Sequence, residues 1–145
     1  MKAKIKLYDE GLIIHNFPSY ATPGSAAFDV RACWSNNEDM TNDDGEFLIP
    51  PHSNSVMIGL GFAMELPPGY VAKLYARSGL GTKHQIMPAQ CVGIIDSDYR
   101  AEVMYAAINR SSRPYRIQPY ERIGQIMIEH VEPVEFEIVD ELSET

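Results

Sequence analysis

The sequence predicts an all-β domain of the sandwich or barrel class. Short runs of apolar and β-branched residues recur about every 8–12 residues, Pro and Gly turn signals separate them, and helical periodicity is almost absent. With 145 residues, 45% of them hydrophobic and 22% charged, the chain is long enough to bury a sizeable core, and one domain over residues 1–145 accounts for it.

Taken in order, Ile5 to Tyr8 reads as a first strand and Gly11 to Ile14 as its continuation after a turn. Pro18 to Gly24 is a loop of small and turn residues. Ser25 to Ala32 follows as a strand whose small residues allow close backbone approach. Asn36 to Gly45 is a polar, acidic excursion. Glu46 to Ile49 runs into Pro50-Pro51, and Val56 to Ile58 and Phe62 to Met64 form two further strands. Val56 to Met64 is apolar and uncharged, which suits a core or a subunit interface. Tyr70 to Tyr75 is an alternating strand, and Ala76 to His84 holds the one short helix. Ile86-Met87, Val92 to Ile95, Glu102 to Ile108, Tyr115 to Ile117, Arg122 to Val131 and Glu135 to Val139 continue the strand pattern.

A net charge of -8 argues against a nucleic-acid partner, since displacing counterions from phosphates requires a basic face. A small anionic ligand needs only local cations. Two distant cysteines, Cys33 and Cys91, suit reduced thiols in the cytoplasm. The N-terminus alternates Lys with apolar residues and has no signal-peptide block, while the uncharged span 47–64 carries too many prolines and polar residues for a membrane helix. A cytoplasmic protein without a membrane partner is expected.

The densest chemistry lies in Gly93-Ile94-Ile95-Asp96-Ser97-Asp98-Tyr99-Arg100-Ala101-Glu102. A period of two sends Ile95, Ser97 and Tyr99 to one side of an extended strand and Ile94, Asp96, Asp98 and Arg100 to the other, crowding two carboxylates and an aromatic into one short hairpin. In isolation Asp-Ser-Asp also suits a plain polar turn. Arg77-Ser78-Gly79, at the start of the short helix, offers a cation, a hydroxyl and open N–H groups to a phosphate; an ordinary helix start capped by Ser78 has the same composition.

Four stretches in this order resemble the motifs of the trimeric dUTP pyrophosphatases (dUTPases): Pro23 to Ala32, Ala76 to Gly81, Gly93 to Glu102 and Glu121 to Ile126. The resemblance spans about residues 3 to 142. It implies a distorted jelly-roll fold, a homotrimer with active sites between subunits, and Mg²⁺-dependent hydrolysis of dUTP to dUMP and pyrophosphate. That reaction keeps uracil out of DNA and supplies dUMP for thymidylate synthesis.

The resemblance also assigns roles to particular residues. Asp96 is the general base, orienting and deprotonating a water for in-line attack on the α-phosphorus, and it bonds the 3′-hydroxyl. Tyr99 stacks under the sugar and excludes a 2′-hydroxyl. Arg77, Ser78 and Gly79 lie against the triphosphate, with Ser78 near the α–β bridging oxygen. Backbone of Ile94, Ile95 and Met104, together with Gln90, reads uracil. Gln125 sits near the phosphates or the water. Asp29 holds waters on Mg²⁺ rather than the metal itself.

Ala27 and Ala101 stand where many relatives carry Gly, and Gln90 where bacterial relatives carry Asn. Residues from about 133 to 145 resemble the start of the family's carboxyl-terminal arm, and its Gly-rich fifth motif does not follow in this sequence. Two other functions fit the same residues. One is a dUTP-binding regulator of low turnover that contacts a protein partner; the other is a relative of the dCTP deaminases, which share the fold.

Overall fold

The computed structural model describes residues 1–33, 46–52 and 54–144. The expected excursion over Asn36 to Gly45 lies outside the described residues. Described strands are β1 (Lys4–Leu7), β2 (Phe28–Arg31), β3 (Phe47–Ile49), β4 (Val56–Gly59), β5 (Phe62–Glu65), β6 (Tyr70–Ala76), β7 (Ile86–Pro88), β8 (Val92–Ile95), β9 (Met104–Asn109), β10 (Tyr115–Ile117) and β11 (Arg122–His130). Two helices interrupt them, α1 (Gly11–Ile14) and α2 (Ser78–His84). The fold is mostly β, as the strand pattern predicts, and jelly-roll-like, as the resemblance implies.

A four-stranded sheet in the order β2-β11-β6-β8 is accompanied by a three-stranded sheet in the order β4-β9-β7. Two smaller pairs, β1-β5 and β10-β3, complete the described ladders, and every strand pairing is antiparallel. Alternation drives the layering. In β9 Tyr105, Ala107 and Asn109 are buried while their neighbours are only partly so, and in β3 Phe47 and Ile49 are buried on either side of exposed Leu48. Ile58, Leu60, Phe62, Leu74, Ile117, Ile123 and Ile126 meet in one core. Each such side chain contributes about 1.5–3 kcal/mol by leaving water. The apolar stretch Val56 to Met64 supplies this internal core, with Met57 the exposed exception.

Gly124 is required where β11 crosses beneath the core: a Cβ there would lie 2.9 Å from Tyr105 Cε2 and 3.1 Å from the Tyr75 carbonyl oxygen. Just before it, the β11–β2 register shifts between Arg122 and Gly124. The irregularity lets Ile123 enter the core while Arg122 stays at the surface.

Three expectations require correction. Gly11 to Ile14 is helical rather than a strand, so the described residues hold two helices instead of one. The Asp9 carboxylate accepts the Gly11 N–H at 2.8 Å, Leu12 N–H bonds the Asp9 carbonyl, and only Leu12 of the four is buried, which turns the chain instead of extending it. Glu135 to Val139 forms no strand, because its backbone meets no ladder partner among the described residues; Phe136 and Ile138 are 87% and 100% exposed. Finally, β8 and β9 are not two arms of one ladder. β8 bonds to β6, β9 bonds to β4 and β7, and residues 96–103 carry the chain from one sheet to the other.

Candidate active site

The segment joining β8 to β9 builds the first half of the site. β8 ends at Ile95, and the Tyr99 N–H donates to the Asp96 carbonyl at 3.2 Å, closing a turn with Asp96 at its start. Asp96 is exposed, and Ile95, one residue earlier, is buried. The predicted alternation therefore holds from Ile94 to Ser97, and the turn then replaces it. Tyr99 anchors by donating its hydroxyl to the Glu102 carbonyl at 3.0 Å and remains 40% exposed as a residue.

Gln90, Ile94, Ile95, Tyr99 and Met104 line one cavity of about 200 Å³, with Leu74, Gly93 and Val103 completing the wall. Gly93 keeps this floor low. A Cβ there would lie 3.2 Å from both Gln90 Nε2 and Leu74 Cβ. Five residues predicted to bind the base and sugar thus share a pocket of suitable size for a pyrimidine.

The second half lies where β2, β11 and β6 meet. The register places Gln125 opposite Asp29 on one side and Tyr75 on the other, so three half-buried side chains line up across the sheet. Gln125 Nε2 donates to the Ala76 carbonyl at 3.1 Å, next to Arg77. Asp29 holds two guanidinium groups: Arg77 Nε donates to Oδ1 at 3.2 Å and Arg122 Nη1 to Oδ2 at 3.1 Å. Arg31 donates to the Tyr120 carbonyl at 2.7 Å; burial and then neighbouring Arg122 hold its pKa below the ordinary arginine value, with Asp29 opposing.

Arg31, Arg77, Lys83 and Arg122 line a groove of about 440 Å³ with Gly79, and Glu121 is the carboxylate that lines it. On a chain of net charge -8, that concentration of cations suits a polyphosphate. Ser78 does not cap α2. Arg77 occupies the cap position in extended conformation without a side-chain cap bond, Ser78 is exposed, and a Cβ on Gly79 would meet nothing within 4 Å. Sequence reasoning passed over Arg122 and Arg31 as site residues; their signal was a pair of cations flanking two predicted site positions, Gln125 and Asp29.

The two halves stand apart within one chain. In the antiparallel β6–β8 pair Ile95 faces Ala72, which puts Asp96 at the Val71 end, whereas Arg77 follows Ala76 at the other end. Six residues of strand separate them, roughly 20 Å at about 3.3 Å per residue.

The dUTPase family model matches residues 15–145. The chain belongs to the dUTPase family. It is 45% identical over 129 residues to a deoxyuridine 5′-triphosphate nucleotidohydrolase of Gamma-proteobacterium EBAC31A08, covering 88% of this chain and 86% of that one. A protein of the same name from Polynucleobacter asymbioticus is 37% identical over 142 residues, covering 98% and 89%. Among solved structures, the dUTPase from phage phi11 of S. aureus superposes with a TM-score of 0.79 at 17% identity over 100% of both chains. That of Staphylococcus bacteriophage 80alpha gives 0.78 at 20% identity over 99% of both. These two likenesses are likenesses of fold. As a member of the family the chain is an enzyme, a dUTPase of nucleotide metabolism. No helix among the described residues is long and apolar enough to cross a membrane.

Proposed function

We propose that the chain hydrolyses dUTP to dUMP and pyrophosphate through a water activated by Asp96, in an active site completed by a second copy of the chain. The observation that carries this reading is the convergence of Gln90, Ile94, Ile95, Tyr99 and Met104 on one pyrimidine-sized pocket beside Asp96. Backbone of Ile94, Ile95 and Met104 in that pocket offers donors and acceptors to uracil, and a pocket built for that pattern leaves polar groups unpaired against cytosine. The Tyr99 ring forms the sugar-facing wall, against which a 2′-hydroxyl would collide. Asp96, exposed one residue after the pocket-lining Ile95, accepts the proton of the attacking water in line with the α-phosphorus.

Arg77 and Ser78 receive the phosphates, with Arg122 and Lys83 adding charge to the groove. Both groups must act on one phosphate chain, yet one protomer sets Asp96 and Arg77 roughly 20 Å apart. A homotrimer in which neighbouring copies supply the two halves removes the conflict, and closed symmetry is the usual form of such assemblies.

Among the described residues no cluster of three His, Cys, Asp or Glu side chains could hold a metal alone. Asp29 fits Mg²⁺ only in the outer shell: both its oxygens already accept from arginines, and a carboxylate's remaining lone pairs suffice for metal-bound waters. When bound with the nucleotide, Mg²⁺ would neutralise phosphate charge. A mutant of the phage phi11 enzyme coordinates a structural Mg(II) ion. We place the protein in the cytoplasm, where its substrate pool is, with no nucleic-acid or membrane partner.

The test is to offer the purified chain dUTP, UTP, dCTP and dTTP with Mg²⁺ and to measure pyrophosphate and ammonia. Pyrophosphate from dUTP alone is expected. Ammonia from dCTP would support the deaminase reading instead.

A further inference from the structure

Glu102 is the one buried acidic side chain among the described residues, at 8% exposure, and the activity described above makes no use of it. Burying a carboxylate is costly unless hydrogen bonds replace its water, so its surroundings indicate what it holds. Its Oε1 accepts the Gly61 N–H at 2.8 Å, and a Cβ on Gly59 would lie 2.7 Å from that same oxygen. Gly61 itself has φ of +73°, a conformation that favours glycine. The turn between β4 and β5 is therefore shaped around this carboxylate.

The backbone of the same residue reaches the site. The Glu102 carbonyl accepts the Tyr99 hydroxyl, and the Tyr99 N–H closes the turn onto the Asp96 carbonyl. One residue later, the Val103 N–H donates to the Phe62 carbonyl at 2.9 Å and the Val103 carbonyl accepts the Leu60 N–H at 3.0 Å. The end of the 96–103 segment is thus clamped to the β4–β5 turn by a charge-assisted bond and two backbone bonds, and Tyr99 hangs from that clamp.

We propose that Glu102 is a positioning residue for substrate selection: its carboxylate, fixed on Gly61, sets the height of the Tyr99 ring under the sugar and so enforces the preference for a 2′-deoxyribose. This rests on the dUTPase reading of the pocket. The carboxylate touches neither substrate nor the attacking water and acts through Tyr99 alone. Glutamine, which keeps an oxygen acceptor of the same reach, replaces it with little loss; alanine does not.

The experiment compares Glu102→Ala, Glu102→Gln, Tyr99→Phe and the Glu102→Ala/Tyr99→Phe double variant. Two readouts are taken: the ratio of kcat/KM for dUTP to that for UTP, and hydrogen exchange of the Tyr99 amide without nucleotide. Glu102→Ala and Tyr99→Phe should each lower the ratio by roughly 10-fold, Glu102→Gln should stay within about 3-fold of the unaltered chain, and the double variant should be no worse than either single one. Tyr99 amide exchange should speed by about 10-fold or more in Glu102→Ala and return toward normal in Glu102→Gln. An unchanged ratio in folded Glu102→Ala, glutamine no better than alanine, or additive losses overturn the proposal. If Glu102→Ala does not fold, an unchanged ratio in Tyr99→Phe does the same. An unaltered chain inactive on dUTP overturns the dUTPase reading instead, and the exchange arm still decides whether Glu102 anchors Tyr99.

Discussion

Arg77 and Asp96 lie at opposite ends of the β6–β8 pair, one past Ala76 and the other past Ile95. If both serve one substrate, they come from different copies. Arg77→Ala and Asp96→Asn should each be slowed by at least about 10²-fold alone, yet an equal mixture, unfolded and refolded together, should recover about a quarter of the wild-type sites, since half of the copies on each side of an interface carry the needed residue. No recovery in mixed assemblies would place both residues in one protomer's site.

Arg77 Nε is held on Asp29 Oδ1 at 3.2 Å, with both side chains about two-thirds buried. Such a pair orients the cation more than it stabilises the fold. Asp29→Asn should raise KM for dUTP by roughly 3- to 10-fold, with a stability change under about 1 kcal/mol. Steady-state kinetics beside urea titration separates the two effects.

The Tyr105 hydroxyl is buried and meets no hydrogen-bond partner among the described residues. An unpaired buried hydroxyl costs about 1–3 kcal/mol. Tyr105→Phe should therefore leave the fold as stable or raise its Tm by a few degrees, on the order of 1 kcal/mol. A Tm drop in differential scanning calorimetry would mean that the hydroxyl is satisfied in solution.

Alkaline pH should unfold the protein early. Tyr115 and Tyr120 are each pushed up to about 12 from 10.0, first by burial and then by hydrogen bonds to Glu121 and Asp9 respectively. Cys33 is raised to about 12 from 9.0 by burial and then by Asp9, and burial raises Tyr105 as well. Each group keeps its proton longer in the folded chain, so their contribution is complete below the unfolded values near 9 and 10 and is lost as pH climbs toward 12. Urea midpoints should be level up to about pH 9 and fall above it, and Tyr120→Phe should flatten the fall.

What the sequence made legible was local. Tyr70 to Tyr75 and Arg122 to Val131 carry enough apolar and β-branched residues to announce strands, and the base-pocket residues lie close together in sequence on either side of one turn. Gly11 to Ile14 was misread because four apolar residues have no distinguishable period, and the Asp9 side chain that bends them is a single contact. Glu135 to Val139 alternates like a strand, but alternation supplies no ladder partner. Arg122 reaches Asp29 across 93 residues, and Glu102 reaches Gly61 across 41; such pairs emerge only when the sheets bring distant segments together.

The central claim is that Asp96 directs water to the α-phosphorus of dUTP, and isotope placement tests it most directly. Hydrolysis in H₂¹⁸O with Mg²⁺ should leave the label in dUMP and none in pyrophosphate, and Asp96→Asn should slow this reaction by at least about 10²-fold while dUTP binding persists. Label in pyrophosphate, or an Asp96→Asn variant as fast as the unaltered chain, would contradict the account.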